Sequence, residues 1–127
     1  MVNSLPIDSK LNKSYTVIDL TILKDISQGD IRFEKEITEK FLILINEHIV
    51  DLKHHLNLGH IDKLKATAHY ALSTIYVMGL NKLLERPLKM IEHQSLSQNE
   101  LAIILRKVED IMKMAKADAT KFLKTII

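Results

Sequence analysis

The six histidines are the residues of this sequence best suited to chemistry, because the chain has no cysteine. A neutral imidazole is nucleophilic near pH 7 and is also a common metal ligand. Four of them lie close together along the chain: His48, His54, His55 and His60. His48 and His55 share a helix face two turns apart, whereas zinc-binding helices use one-turn spacing. No carboxylate completes a metal motif with them, so we predict a solvated polar face here and no metal site.

His69 stands apart from this group, on a helix predicted over residues 60–78. The apolar seam of that helix steps by three and four residues, as in a helix packed inside a bundle: Ile61, Leu64, Ala68, Ala71, Ile75 and Met78. His69 lies one position off the seam, about 100° around the helix. Ala66 and Ser73, its neighbours one turn away, are small and leave the imidazole uncrowded. Such a histidine is either a partly buried structural residue or an accessible reactive group.

Several other kinds of site have no sequence support. The chain has no Ser-His-Asp motif, no P-loop and no Gly-rich phosphate loop. Glu92 and His93 are adjacent, whereas di-iron bundles use Glu-x-x-His. The net charge is only +2 and the basic residues are dispersed, so no nucleic-acid partner is indicated.

The composition favours long helices in one domain of 127 residues. Hydrophobic residues make up 46% and aromatic residues 5%, so the predicted core is aliphatic. With 3 Gly and 2 Pro, the chain has few helix breakers. The absence of cysteine fits a reducing compartment. Because no signal peptide is evident and no window reaches the roughly 18 uncharged apolar residues of a membrane span, we expect a soluble cytoplasmic protein without a membrane partner.

Local signals predict where the first two helices begin and end. Residues 1–17 are interpreted as an N-terminal arm, and Asp19 as the N-cap of a short helix over 19–27. Asp30 begins a long helix that ends near Asn57, before Gly59. Its predicted core face is broad: Phe33, Ile37, Phe41, Leu44, Ile45, Ile49, Leu52 and Leu56.

Gly79 ends the helix that carries His69, or allows a close approach of the next helix. That next helix is predicted over 80–93, with a bend at Pro87. Ser97 and Glu100 then form a capping box that begins the last helix. Short loops between long helices predict an all-α fold, an antiparallel up-down four-helix bundle with a short N-terminal capping helix.

Five short patterns in fixed order support one family resemblance. Residues 18–23 read Ile-Asp-Leu-Thr-Ile-Leu, residues 29–33 read Gly-Asp-Ile-Arg-Phe, and residues 64–69 read Leu-Lys-Ala-Thr-Ala-His. Gly79 follows ten residues after the histidine, and Ile91-Glu92 closes the next helix. This arrangement resembles the histidine-containing phosphotransfer (HPt) domain family of multistep phosphorelays. The resemblance assigns residues 18–127 to an HPt-like four-helix bundle.

The resemblance implies that His69 is the phosphoacceptor. It accepts a phosphoryl group from the aspartyl phosphate of a receiver domain and passes it to another receiver. The implied partners are response-regulator receiver domains, a hybrid sensor histidine kinase, or both, and the protein itself is expected to be a monomer. Mg²⁺ is expected in the partner receiver, and this chain is expected to need no cofactor. With no nucleotide site, the protein is a phosphotransfer intermediate and not a kinase.

One departure from the family pattern leaves a second hypothesis open. Leu72 stands where many members have a lysine that holds the phosphoryl group, and Ser73 stands where glycine is common. Lys65, one turn before His69, is the alternative cation. In the second hypothesis, the chain is a degenerate helical adaptor that binds receivers without transfer. Apolar residues off the seam, Tyr70, Leu72 and Tyr76, together with the first helix, are predicted to form the docking surface.

Overall fold

The computed structural model describes residues 15–127, and in that range it contains five α-helices and no strand. In chain order they are α1 (Thr21–Ser27), α2 (Ile31–Leu58), α3 (Ile61–Tyr76), α4 (Asn81–His93) and α5 (Gln98–Ile126). The all-helical class is confirmed, and each helix lies within about two residues of its predicted range. Most of the predicted N-terminal arm, residues 1–14, lies outside the described residues.

The capping signals at two helix starts are confirmed. The Asp30 side chain accepts a hydrogen bond from the backbone N–H of Phe33 at 3.1 Å. At the start of α5, the Ser97 hydroxyl accepts from the N–H of Glu100, and the Glu100 carboxylate accepts from the N–H of Ser97. Each bond satisfies a donor that the first turn of a helix leaves unpaired. Local sequence therefore determines where α2 and α5 begin.

The assignment of Asp19 as a helix N-cap is wrong. Helix α1 begins at Thr21, and the Asp19 carboxylate accepts from the Thr21 N–H at 2.9 Å, in the turn that precedes the helix. Hydrogen bonds with the Thr21 side chain and then with its backbone N–H lower the pKa of Asp19. The Asp19 N–H donates to the carbonyl of Met78 at 2.9 Å. Asp19 thus joins the start of α1 to the segment that follows α3.

Helices α2 to α5 pack as a bundle around an aliphatic core. The main helix pairs are α2 with α3, α3 with α4, α4 with α5, and α5 with α2, while α1 rests on α2. The predicted seam of α3 is buried along almost its whole length: Leu64, Ala68, Ala71, Ile75 and Met78. Ile61, its first member, is half-buried. The seam turns His69 away from the core.

The predicted core face of α2 is displaced in its first turns. Phe33 and Ile37 are half-buried, whereas the next residues, Glu34 and Thr38, are fully buried. The reason is α1, whose Ser27 hydroxyl donates to the Glu34 carboxylate at 2.6 Å. Lys24 of α1 pairs with the same carboxylate at 2.8 Å. A paired carboxylate thus replaces apolar packing between α1 and α2.

A second buried carboxylate fixes the chain just before α1. Asp118 of α5 accepts hydrogen bonds from the backbone N–H groups of Thr16, Val17 and Ile18, at 3.1, 2.7 and 3.1 Å. The ring of Tyr15 packs edge-on against Phe122 nearby. These contacts hold residues 15–18 along the last helix.

Helix α4 continues through Pro87 without interruption. Proline has no N–H, so one backbone hydrogen bond of the helix is missing at Pro87. The predicted bend at 83–87 stays a prediction. Within residues 15–127, no helix combines the length and the apolar character needed to cross a bilayer.

Candidate functional site

His69 lies on the outer surface of α3, with 72% of its side chain exposed. Ala66 and Ser73, one turn away on either side, are also exposed, so the predicted open surroundings of the imidazole are present. The Ser73 hydroxyl donates to the carbonyl of Tyr70 at 2.8 Å and does not cover the ring. The histidine is therefore accessible to a macromolecular reactant.

Glu92 of α4 holds the imidazole from one side. Its Oε2 lies 2.5 Å from Nδ1 of His69. A carboxylate accepts but does not donate, so the neutral ring carries its proton on Nδ1. Nε2 then keeps its lone pair and is the free nitrogen of the ring. The arrangement gives an accessible nucleophile of defined tautomer.

The other oxygen of Glu92 faces the next residue along the chain. Oε1 is buried, has no hydrogen-bond partner among the described residues, and lies 3.3 Å from Nε2 of His93. Only 16% of the Glu92 side chain is exposed. The sequence indicated Glu92 as a pattern residue at the end of a helix, but not as the partner of His69. That pairing joins two helices, and no local spacing signals it.

Lys65 occupies a different place from the one expected of a phosphoryl-binding cation. Its ammonium donates to the carbonyls of Ile91, Glu92 and Gln94 at 3.1, 3.3 and 2.8 Å. A cation is favoured at this end of α4, where the last carbonyls lack helical partners. Lys65 therefore fixes the end of the helix that carries Glu92.

Leu72 follows His69 along the groove between α3 and α4. Its side chain is half-buried and packs against the core. It brings no charge to the site, so α3 itself offers no cation one turn after His69.

Two exposed tyrosines follow His69 along α3, and the docking role predicted for this surface stays a prediction. Tyr76 is 55% exposed and Tyr70 is exposed to a similar degree. Ile26 of α1 is also exposed, and α1 begins beside Met78, just beyond Tyr76. We use the name apolar rim for Tyr70, Leu72, Tyr76 and Ile26. Of these side chains, Tyr70 and Tyr76 are the accessible ones on the helix that carries His69.

The prediction that His48 lies on a solvated face is wrong. His48 is 1% exposed, and its Nε2 lies 2.8 Å from the Thr74 hydroxyl of α3. Its ring packs edge-on against Tyr70 at 4.8 Å between centroids. Apolar neighbours along α2 did not reveal this, because the burial depends on where α3 crosses. His48 of α2 thus packs against the helix that carries His69, α3, through Thr74 and Tyr70.

Burial lowers the pKa of His48 below its ordinary value of 6.5, although Asp51 and Glu47 act in the opposite direction. The unfolded chain therefore binds this proton more readily than the folded chain. The contribution of neutral His48 to stability is complete above pH 6.5 and is lost as the pH falls through the lowered folded-state pKa. We expect the urea concentration at the unfolding midpoint of the wild type to decrease as the pH is lowered from 7.5 to 5.

The His48→Gln variant removes this titration and keeps a polar side chain beside Thr74. Its urea midpoint should fall less steeply over the same pH range, whatever its stability at pH 7.5. If the urea midpoints of the two proteins change equally with pH, His48 does not bind its proton differently in the folded and unfolded states.

The remaining histidines of the cluster pack loosely together near the end of α2. The ring centroids of His54 and His55 are 5.6 Å apart, and those of His55 and His60 are 6.1 Å apart. Among the described residues, no group of three or more histidine, aspartate or glutamate side chains is placed to hold a metal ion.

Comparison of the chain with protein-family models, with curated proteins and with solved structures finds no match.

Proposed function

We propose that this protein is a phosphorelay intermediate of the HPt type, with His69 as the phosphoacceptor. The observation that supports this most directly is the exposed imidazole whose Nδ1 faces Glu92. Because Nδ1 is paired with Glu92, Nε2 is left accessible as a nucleophile. The ordered sequence patterns around His69 and Glu92 are those of the family that the chain resembles.

The proposed fold is an antiparallel four-helix bundle of α2 to α5, with α1 as a cap over one end. Each of the four helices packs on two of the others, and short connections join them. Lys65, near the start of α3, contacts the last carbonyls of α4, as expected if α4 runs back along α3. The backbone hydrogen bond from Asp19 to Met78 supports a position of α1 at the opposite end.

The transfer is a displacement at phosphorus. The lone pair of Nε2 attacks the phosphoryl group of a receiver aspartyl phosphate, the P–Nε2 bond forms, and the P–O bond to the aspartate breaks. The aspartate leaves as a carboxylate with the electron pair of that bond. The ring keeps its Nδ1 proton and becomes positively charged, and Glu92 stabilises that charge.

The receiver is proposed to supply what this chain lacks. Mg²⁺ in the receiver neutralises the charge of the transferred group, as in other phosphoryl transfers. The apolar rim around His69 is proposed to dock the receiver. Tyr70 is adjacent to His69 and Tyr76 lies two turns further along α3, so a partner that covers both tyrosines is proposed to reach the imidazole.

The test is incubation of the protein with phosphorylated receiver domains and with the receiver of a hybrid kinase. A phosphoryl group that appears on His69, labile in acid and stable in base, supports the proposal. Mapping of the modified residue by mass spectrometry under neutral conditions identifies the site. Label on another residue, or no label from any receiver of the same organism, contradicts it.

A non-catalytic adaptor is the second candidate, and one observation favours it. Leu72 brings no charge beside His69, and the Lys65 ammonium is engaged with backbone carbonyls. An adaptor would bind the same receivers through the same rim. Binding without label on His69 would identify this second function.

The role assigned to Glu92 gives a prediction of its own. Glu92→Ala removes the acceptor that holds the tautomer, and a hydrogen bond to a charged group contributes about 1.5–3 kcal/mol, so the rate of transfer should fall about tenfold or more. Glu92→Gln keeps an amide oxygen that accepts from Nδ1 but carries no charge, and it should lie between Ala and wild type. Rapid-quench assays with one phosphorylated receiver measure the rates. Equal rates for all three proteins would exclude the role.

A further inference from the structure

A phosphoryl group on His69 would bring negative charge beside a site that already holds the Glu92 carboxylate. The protonated ring lies between the two groups and offsets part of this repulsion, and a further cation beside the phosphoryl oxygens would offset more. Neither nearby residue of α3 provides it, because Lys65 is bonded to the end of α4 and Leu72 is apolar. If this chain supplies that further cation, it comes from the neighbouring helix α4.

The pairing of α3 with α4 shows which residue that is. His69 is level with Glu92, and α4 runs back along α3 in the proposed fold. One turn further along α3, about 5 Å away, the level of Leu72 and Ser73 corresponds to Lys89. Lys89 shares a helix face with Glu92 and Glu85, since their spacings are three and four residues. This register therefore places Lys89 at the level that Leu72 leaves uncharged, and its ammonium pairs with Glu85.

Lys89 is free to change its partner at little cost. Its side chain is 55% exposed, and its ammonium lies 3.4 Å from a Glu85 carboxylate that is exposed to a similar degree. An ion pair this exposed contributes little to stability. A phosphoryl dianion, with more charge and three acceptor oxygens, is a stronger partner for an ammonium than one carboxylate.

We propose that Lys89 is the phosphoryl-binding cation of this site, held by Glu85 until His69 is phosphorylated. The inference rests on the proposed function and adds to it the residue that binds the transferred group. Lys89 contacts the phosphoryl oxygens from α4, and the phosphorylated histidine releases the Glu85 carboxylate to water. Glu85 therefore competes with the phosphoryl group for the same ammonium.

The test uses phosphoramidate, a small donor that needs no receiver. Its P–N bond breaks, the P–Nε2 bond of His69 forms, and ammonia leaves with the electron pair. Lys89→Ala should lower the initial rate of His69 phosphorylation about twofold to fivefold, the range expected for one exposed charge pair. Glu85→Gln should raise the rate, because it frees the ammonium. Both effects should shrink in high salt.

A matched ion pair provides the control. Glu109 and Lys113 of α5 have the same spacing, with 3.6 Å between the charged atoms, and lie on the side of the bundle that faces Lys53 of α2. Lys113→Ala and Glu109→Gln make the same changes in net charge and should leave the rate unchanged. Equal effects at the two pairs would show only a long-range charge effect and would overturn the assignment of Lys89.

A second measurement reports the contact itself. The side-chain resonances of Lys89 should shift when His69 is phosphorylated, while those of Lys113 stay in place. Phosphorylation of His69 at the wild-type rate in Lys89→Ala, with unmoved Lys89 resonances, would overturn this inference and leave the proposed function intact. No phosphorylation of His69 by phosphoramidate or by any receiver would overturn both.

Discussion

The variant His69→Gln should lose transfer completely and keep its fold. Glutamine has no nucleophilic ring nitrogen, so no P–N bond can form, and its amide can still donate to the Glu92 carboxylate. Because the side chain is exposed and lies beside the seam of α3, the free energy of unfolding should change by no more than about 0.5 kcal/mol. Label transfer from a phosphorylated receiver and urea unfolding measure the two effects.

His93→Gln is the matched control for this variant. His93 is exposed to nearly the same degree and lies beside the other oxygen of Glu92. It should still accept the phosphoryl group on His69. If His93→Gln loses the label and His69→Gln keeps it, the acceptor has been assigned to the wrong histidine.

Of the three possible Gly→Ala substitutions in this chain, Gly79→Ala should cause the largest loss of stability. The backbone of Gly79 has φ +68°, where a Cβ costs about 1–2 kcal/mol. A Cβ there would also lie 2.6 Å from both Cβ and the carbonyl oxygen of Asp19. Overpacking of this kind adds about 1–3 kcal/mol, so the expected loss is about 2–5 kcal/mol in urea unfolding.

Gly59→Ala separates the two causes. Gly59 has φ +71°, but a Cβ there meets nothing within 4 Å. Its loss should be limited to the backbone cost of about 1–2 kcal/mol. If the two variants unfold at the same urea concentration, the close approach of Asp19 to Gly79 contributes nothing to stability.

Features of the fold that depend on neighbours along the chain could be predicted from the sequence. The Asp30 cap and the Ser97 capping box involve residues three positions apart, so their spacing alone indicates the bond. The seam of α3 follows from helical periodicity in the same way. These local signals were sufficient to orient His69 away from the core.

The pairings that complete the site could not be predicted in this way. Glu92 meets His69 only because α4 packs on α3 in one register, and the level proposed for Lys89 depends on the same register. His48 is buried because Thr74 and Tyr70 cross over it. An isolated polar residue in a sequence looks solvated until a partner on another helix is known. The prediction for His48 therefore failed, and the partner of His69 was missed.

The buried carboxylate of Asp118 determines when during synthesis the segment before α1 can be fixed to the last helix. Asp118 is translated 100 residues after Ile18, whose N–H it accepts. At a synthesis rate of about 5–20 residues per second, this delay is on the order of 5–20 s. During that time α1 can rest on α2 through Ser27 and Glu34, only seven residues apart, while the N–H groups of residues 16–18 remain bonded to water. Helix α1 is therefore attached early by a local contact, and the segment before it is fixed only when the last helix has been made.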